Sequence, residues 1–330
     1  MRRTTLRGTS VHRHRRHHAT THQRPPTGTP RSPSPGPATP TSASGIDLTG
    51  SQFYVNPNDS AATEARSLQA SGDAAAAAQL QTIAAQPEAT WLTDDSSPST
   101  AATVTAAAAA AGKVPIFVVY DLPWRDCGQY SSGGAASPAA YETFIDGVVA
   151  ALGQQRALIV VEPDALSEMS CLTSAEQQAY IELLNYAVTH LTSDPSASVY
   201  VDAGNPGWQS PTSEAAGLAQ VLGASRAGFA VNVANFYPSA QAAAYGASIS
   251  QLVGNRHFVI DTSRDGGSVA AGQWCNPAGA RLGPTPRTAT GNPLIDAELW
   301  IKTPGESDGT CNGGPSAGQF WLSYALSLIG

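Results

Sequence analysis

Charge is scarce in this 330-residue chain: Asp, Glu, Lys and Arg make up 13% of it, against roughly 25% in an average globular domain. Lysine is nearly absent, with only Lys113 and Lys302 present. Affinity for phosphate backbones is built from cationic side chains, so a nucleic-acid partner is excluded. No run of about 18 apolar residues occurs, so no segment reads as a membrane-spanning helix and no membrane partner is expected. The four cysteines, Cys127, Cys171, Cys275 and Cys311, form no C-x-x-C pair. That favours two disulfides over a metal site, and with them an oxidising, extracellular setting.

The few charges are unevenly placed. Residues 1–45 hold eight of the 18 basic side chains, five of the seven His and none of the 25 acidic ones, so the rest of the chain carries 10 basic against 25 acidic groups. A basic leader precedes an acidic body. The leader has no apolar h-region, so despite Arg2-Arg3 it does not read as a secretory signal, and the route of export is not legible. Residues 25–44 are Pro, Thr, Ser and Gly with little to bury, the composition of an extended, semi-stiff, disordered linker. The sequence therefore divides into a leader and linker at 1–44 and one globular domain at 45–330.

Within that domain, short apolar runs alternate with Ala-rich or amphipathic stretches. The runs are Thr90–Leu92, Pro115–Tyr120, Ala157–Glu162, Ser198–Asp202, Gly228–Val233, Arg256–Asp261 and Glu298–Lys302. Helices are predicted between them, among others at Ala61–Ala85, Ser137–Leu152, Ser174–Thr192 and Ser239–Val253, with Ser or Thr at several starts and Gly at several ends. Seven strands alternating with helices predict a parallel α/β sheet, and strands without period-2 polarity predict burial on both faces.

Each run ends in polar residues: Asp94; Asp121 with Arg125 and Asp126; Asp164; Asp202; Asn235; Asp261 with Arg264; and Lys302 with Glu306 and Asp308. In parallel barrels such ends converge on the catalytic face. Any one of these residues is better read as a helix cap, but the whole set points to a site. Two segments are sharper. In Val118–Gly134 a proline interrupts the chain before Arg125-Asp126-Cys127, and the Ser131–Gly134 tail suits a loop that moves over a ligand. In Leu158–Leu166 the Asp164 carboxyl leaves a buried strand close to other carboxylates. Desolvation and like charge both raise its pKa, as a general acid near neutral pH requires.

Together, YDLPWRDC, VVEPDAL, YVDAGNPGW, NVANF, QWCN and IKTPGESDGTC resemble, in order and spacing, the motifs of glycoside hydrolase family 6, which includes endoglucanases and cellobiohydrolases. The resemblance covers about Gly45 to Gly330. It implies a distorted, incomplete parallel β/α barrel of the TIM type, and inverting hydrolysis of β-1,4-glucan polysaccharide by a monomer without metal or organic cofactor. It also implies roles. Asp164 is the general acid, and Asp126 raises its pKa and holds the nucleophilic water with Ser132. Asp308 is the debated base candidate, Asp202 the aspartate of the D-A-G motif, and Tyr120 the residue that presses on the sugar at the cleavage point. Lys302 and Glu306 match hydroxyl-binding residues, and Cys127–Cys171 and Cys275–Cys311 are the expected disulfides.

Flat aromatic faces stack on sugar rings, which makes Trp91, Trp208 and Trp274 candidate platforms, with Asn235, Arg125 and Arg264 as further substrate contacts. Trp300 and Trp321 read as core. One position departs from the family: Asn205 stands where His usually follows D-A-G, and Asn cannot titrate near neutral pH. Two rival readings are weaker. A noncatalytic glucan-binding barrel has no use for the retained carboxylates. A serine esterase would use Ser316 in Gly314–Gly318, but that G-x-S-x-G follows a Gly-rich loop rather than a strand. The short stretch between Cys275 and Cys311 favours an open-cleft endoglucanase over an exo-acting cellobiohydrolase.

Overall fold

A computed structural model describes residues 47–330; the leader and linker expected at 1–44 lie outside the described residues. Fifteen helices and strands follow a β/α order: α1 Ser60–Ser71, α2 Ala74–Ala84, β1 Thr90–Leu92, α3 Ser97–Ala110, β2 Ile116–Val119, α4 Pro138–Leu152, β3 Ala157–Val161, α5 Ser174–Leu191, β4 Ala197–Asp202, α6 Pro211–Leu222, β5 Gly228–Val231, α7 Ser239–Leu252, β6 Phe258–Asp261, β7 Ile295–Leu299 and α8 Leu322–Ile329. The seven strands form one parallel sheet in sequence order, the distorted, incomplete barrel expected from the sequence. No ladder joins β7 to β1. A single bridge, Glu88 to Trp300, spans that seam, with Ala89 N donating to Trp300 O at 3.0 Å and Trp91 Nε1 to Ile301 O at 2.9 Å.

The strands lack polar alternation because both faces are buried. Phe117, Val119, Ile159, Val161, Val199, Val201, Phe229 and Val231 point outward into the layer shared with the helices. The alternate residues Ile116, Val118, Leu158, Val160, Tyr200, Ala230 and Val259 fill the barrel interior. Helix starts follow the capping residues: Ser137, Thr173 and Ser210 each accept a hydrogen bond from a first-turn N–H, and Thr173 forms a reciprocal capping box with Glu176.

Four expectations need correction. The helix predicted over 61–85 is two helices. Gly72 adopts φ 93° and closes α1, and Asp73 then caps α2 by accepting from Ala76 N at 3.1 Å. The last strand lies at Ile295–Leu299 rather than Glu298–Lys302. Beyond Leu299 the Ile301 and Lys302 N–H groups turn to the Asp261 carboxylate, at 3.2 and 2.9 Å, and leave the ladder. The β6–β7 connection, residues 262–294, carries no helix and so breaks the alternation. Trp300 is core as expected, but Trp321 is only half-buried, at the start of α8 against Tyr324.

Candidate active site

The C-terminal strand ends surround a cleft of about 660 Å³. At the end of β2 the chain enters a loop in which Trp124, Asp126 and Cys127 all have positive φ. Glu162, at the end of β3, holds the root of this loop: its buried carboxyl accepts from Asp121 N at 3.0 and 3.2 Å and from Leu122 N at 3.3 Å. Arg125 straps the rest. Its guanidinium donates to Tyr120 O, to Thr93 O at 3.2 Å and to Ser131 O at 3.0 Å, and packs 4.7 Å over the Tyr120 ring. Gly134 presses against Leu122 O so closely that an added Cβ would lie 1.8 Å from it. The Ser131–Gly134 tail is thus anchored at both ends.

Two residues after Glu162, Asp164 takes φ 71°, a left-handed conformation that costs a non-glycine residue on the order of 1–3 kcal/mol. The turn is held from beneath, where Asp202 Oδ2 accepts from Asp164 N at 2.9 Å and from Gly204 N at 3.2 Å. The Asp164 side chain is thereby aimed into the cleft rather than back over the strand. Burial, then the negative charges of Asp126, Glu214 and Asp308, push its carboxyl up to about 7, while Lys302 acts in the opposite direction. Burial also raises Asp126, whose carboxylate accepts from Ser131 N.

The opposite wall carries a fixed anion. Asp308 accepts from Arg264 Nη1 at 2.9 and 2.8 Å and from Asn276 N at 3.0 Å, and Lys302 Nζ lies 3.9 Å away. Arg264 is fully buried, donates to Ala234 O at 2.6 Å and stacks on Phe236 at 4.3 Å. The disulfide Cys275–Cys311 ties the Asn276 and Asp308 loops together, and Cys127–Cys171 ties the loops that follow β2 and β3. Trp91 meets Tyr120 edge-on at 5.5 Å, with Lys302 Nζ 5.7 Å over its ring. Trp208 and Trp274 remain 41% and 44% exposed, the latter beside Tyr130, so the wall they form is not roofed over.

Of the residues singled out from the sequence, Tyr120, Asp126, Asp164, Asp308, Trp91, Trp208, Asn235, Trp274 and Lys302 line this cleft. Five do not. Asp202 lies under Asp164. Arg125 and Arg264 position neighbours, namely the β2 loop and Asp308. Ser132 is exposed beside the lining Ser131, and Glu306 turns to Ser60 Oγ at 2.8 Å. Two other strand-end aspartates are structural: Asp94 accepts from Ser96 N at 2.8 Å in the turn before α3, and Asp261 binds four backbone N–H groups from three loops. Sequence reasoning missed Glu168, Gln129, Gln241 and Tyr237 on the cleft wall, and Glu214 behind Asp164. Glu214, in the first turn of α6, carries no signal beyond that of an ordinary helix-start acid. Asn205 lines the cleft and accepts from Gly207 N at 3.0 Å. Ser316 sits exposed in a loop rather than on a strand-to-helix elbow, which removes the esterase reading.

Comparison with known proteins agrees with this geometry. The model of "Glycosyl hydrolases family 6" matches residues 48–330. Endoglucanase A of Cellulomonas fimi is 40% identical over 282 residues, covering 84% of this chain and 61% of the relative. Probable 1,4-beta-D-glucan cellobiohydrolase C of Aspergillus niger is 31% identical over 360 residues, covering 87% of this chain and 78% of the relative. Among solved structures, the endoglucanase Cel6 of Mycobacterium tuberculosis in complex with a thio-linked cellobioside matches with a TM-score of 0.80 and 45% identity, over 86% of this chain and 97% of that one. With the family model spanning residues 48–330 and relatives alike in sequence and in fold, the chain belongs to glycosyl hydrolase family 6.

Proposed function

We propose that the protein hydrolyses internal β-1,4-glucosidic bonds of cellulose or related β-glucans with inversion at the anomeric carbon. The observation that carries this reading is the pairing of Asp164, a carboxyl that keeps its proton to about pH 7, with Asp308, a carboxylate locked beside Arg264 in the same cleft. One group is placed to give a proton and the other to accept one. Asp164 protonates the glycosidic oxygen as its bond to the anomeric carbon breaks. A water attacks that carbon from the opposite face and its proton passes to Asp308, directly or through a second water. In inverting glycosidases the two carboxyls stand about 6.5–9.5 Å apart so that this water fits. Ser131 N on Asp126 and the Asp126 carboxylate on the cleft wall suit a role in holding it.

Sugar rings would stack on Trp91, Trp208 and Trp274, with Asn235 and Lys302 addressing hydroxyls. The exposure of Trp208 and Trp274 supports endo action, since a roofed tunnel would cover them. The two disulfides support a secreted protein. The test is a carboxymethylcellulose assay that follows viscosity and reducing ends together. The native chain is expected to drop viscosity far ahead of reducing-end release, and Asp164→Asn to do neither. A viscosity loss that only tracks reducing ends would instead indicate exo action.

A further inference from the structure

Four carboxyl groups line the cleft: Asp126, Asp164, Glu168 and Asp308. Two are committed, Asp126 to Ser131 N and Asp308 to Arg264 and Asn276 N. The side chains of Asp164 and Glu168 accept no hydrogen bond among the described residues; Lys302 acts on Asp164 by charge alone, and no cation acts on Glu168. For Asp164 that freedom is what a general acid needs. For Glu168 the mechanism gives no use.

Glu168 is nevertheless held as firmly as a catalytic group. Its N–H donates to Asp164 O at 2.9 Å, closing one helical turn, and its carbonyl accepts from Cys171 N at 3.0 Å. Cys171 is in turn bonded to Cys127 in the facing loop. Both carboxyls line the cleft, four residues apart on the turn that leaves β3, so Glu168 adjoins Asp164 on the cleft wall. The oxygen that receives the Asp164 proton stays with the departing sugar, which puts that sugar next to the wall that Asp164 and Glu168 share. We propose that the Glu168 carboxyl hydrogen-bonds a hydroxyl of the glucosyl unit released on the leaving-group side, and so sets the preference for a sugar in that position. Burial, then the charges of Asp164 and Asp126, push Glu168 up to about 8. Near neutral pH it therefore offers a donor and an acceptor together, which matches a hydroxyl. The proposal rests on Asp164 being the general acid.

The experiment compares two substrates on the full chain. Cellotetraose leaves with a sugar; dinitrophenyl β-cellotrioside leaves with a phenolate that has no hydroxyl to bind and needs no proton. Glu168→Ala is expected to lower kcat/KM on cellotetraose by roughly tenfold to a hundredfold, the loss of one hydrogen bond of a charged or strongly polar group, while changing the aryl substrate less than about twofold. Glu168→Gln, which keeps a donor and an acceptor, is expected to stay within about fivefold of the parent on both. If the Ala variant does not fold, Glu168→Asp withdraws the carboxyl by one methylene and should give the same split. Full activity of the Ala or Asp variant on cellotetraose overturns the proposal, and so does an equal loss on both substrates. Asp164→Asn is assayed alongside: if it still cleaves cellotetraose, the acid assignment fails, whatever the Glu168 variants do.

Discussion

Replacing Asp126 by Asn tests how the fold sets the acidity of Asp164. In the native chain Asp164 is held near 7 first by burial and next by the charge on Asp126. As the proposed general acid, Asp164 must be protonated to work, so activity should fall as pH rises through that value. Asn removes one negative charge while keeping the side-chain shape. A charge beside a carboxyl shifts its pKa by about 1–3 units. Asp126 is partly exposed and accepts from Ser131 N, so screening leaves about one unit. The alkaline limb of kcat/KM on soluble cello-oligosaccharides, scanned from pH 4 to 9 at fixed ionic strength, should therefore move to lower pH by about one unit. Any drop in the plateau, from a misplaced water, is read separately. A limb that stays put or moves to higher pH refutes the electrostatic origin of the shift.

Buried acids should make the fold less stable in alkali. Glu162 is raised by burial to about 8 from 4.5, and burial raises Glu88 as well, both of whose oxygens lack a partner. The folded chain holds protons that the unfolded chain has released, so stability declines as pH rises from about 4.5 towards 8. Tm at pH 8 should lie below that at pH 5, and Glu88→Gln should raise Tm at pH 8 while leaving it nearly unchanged at pH 4; the reverse order in differential scanning fluorimetry removes this account. Trp208→Ala and Trp274→Ala should each raise KM on long glucans by about three- to tenfold, a stacking interaction of about 0.5–1.5 kcal/mol, with kcat nearly constant. Steady-state kinetics in which kcat falls alone would instead place these rings at the bond being broken. Cys275→Ser with Cys311→Ser should cost about 2–4 kcal/mol in denaturant unfolding, and should lower kcat because Asn276 and Asp308 adjoin that bond; unchanged kcat would mean that Arg264 alone places Asp308.

The barrel was legible because its strands are apolar on both faces and its helices carry ordinary caps. Thr90–Leu92 was read to the residue, and Ser137, Thr173 and Ser210 mark starts that the chain uses. Which strand-end carboxylates face the cleft was harder to read. Asp164 and Asp202 both follow buried strands, yet one enters the cleft and the other braces it from below. The difference lies in the positive φ of Asp164, a property of a single residue that periodicity does not carry. Asp94 and Asp261 instead serve backbone N–H groups, and Ser131 rather than Ser132 reaches the wall because Asp126 and Arg125 grip its backbone. The motif order named the family, but the direction of each side chain came from loop geometry that pairs residues 30 or 40 positions apart.

The configuration of the freshly released sugar tests the central claim most directly. Proton NMR of cellotetraose during its first minutes of hydrolysis, before mutarotation, should record the α-anomer at the new reducing end, because water attacks opposite the bond that Asp164 protonates. A β-anomer at first appearance would mean a covalent intermediate and two displacements, and would contradict the division of labour between Asp164 and Asp308.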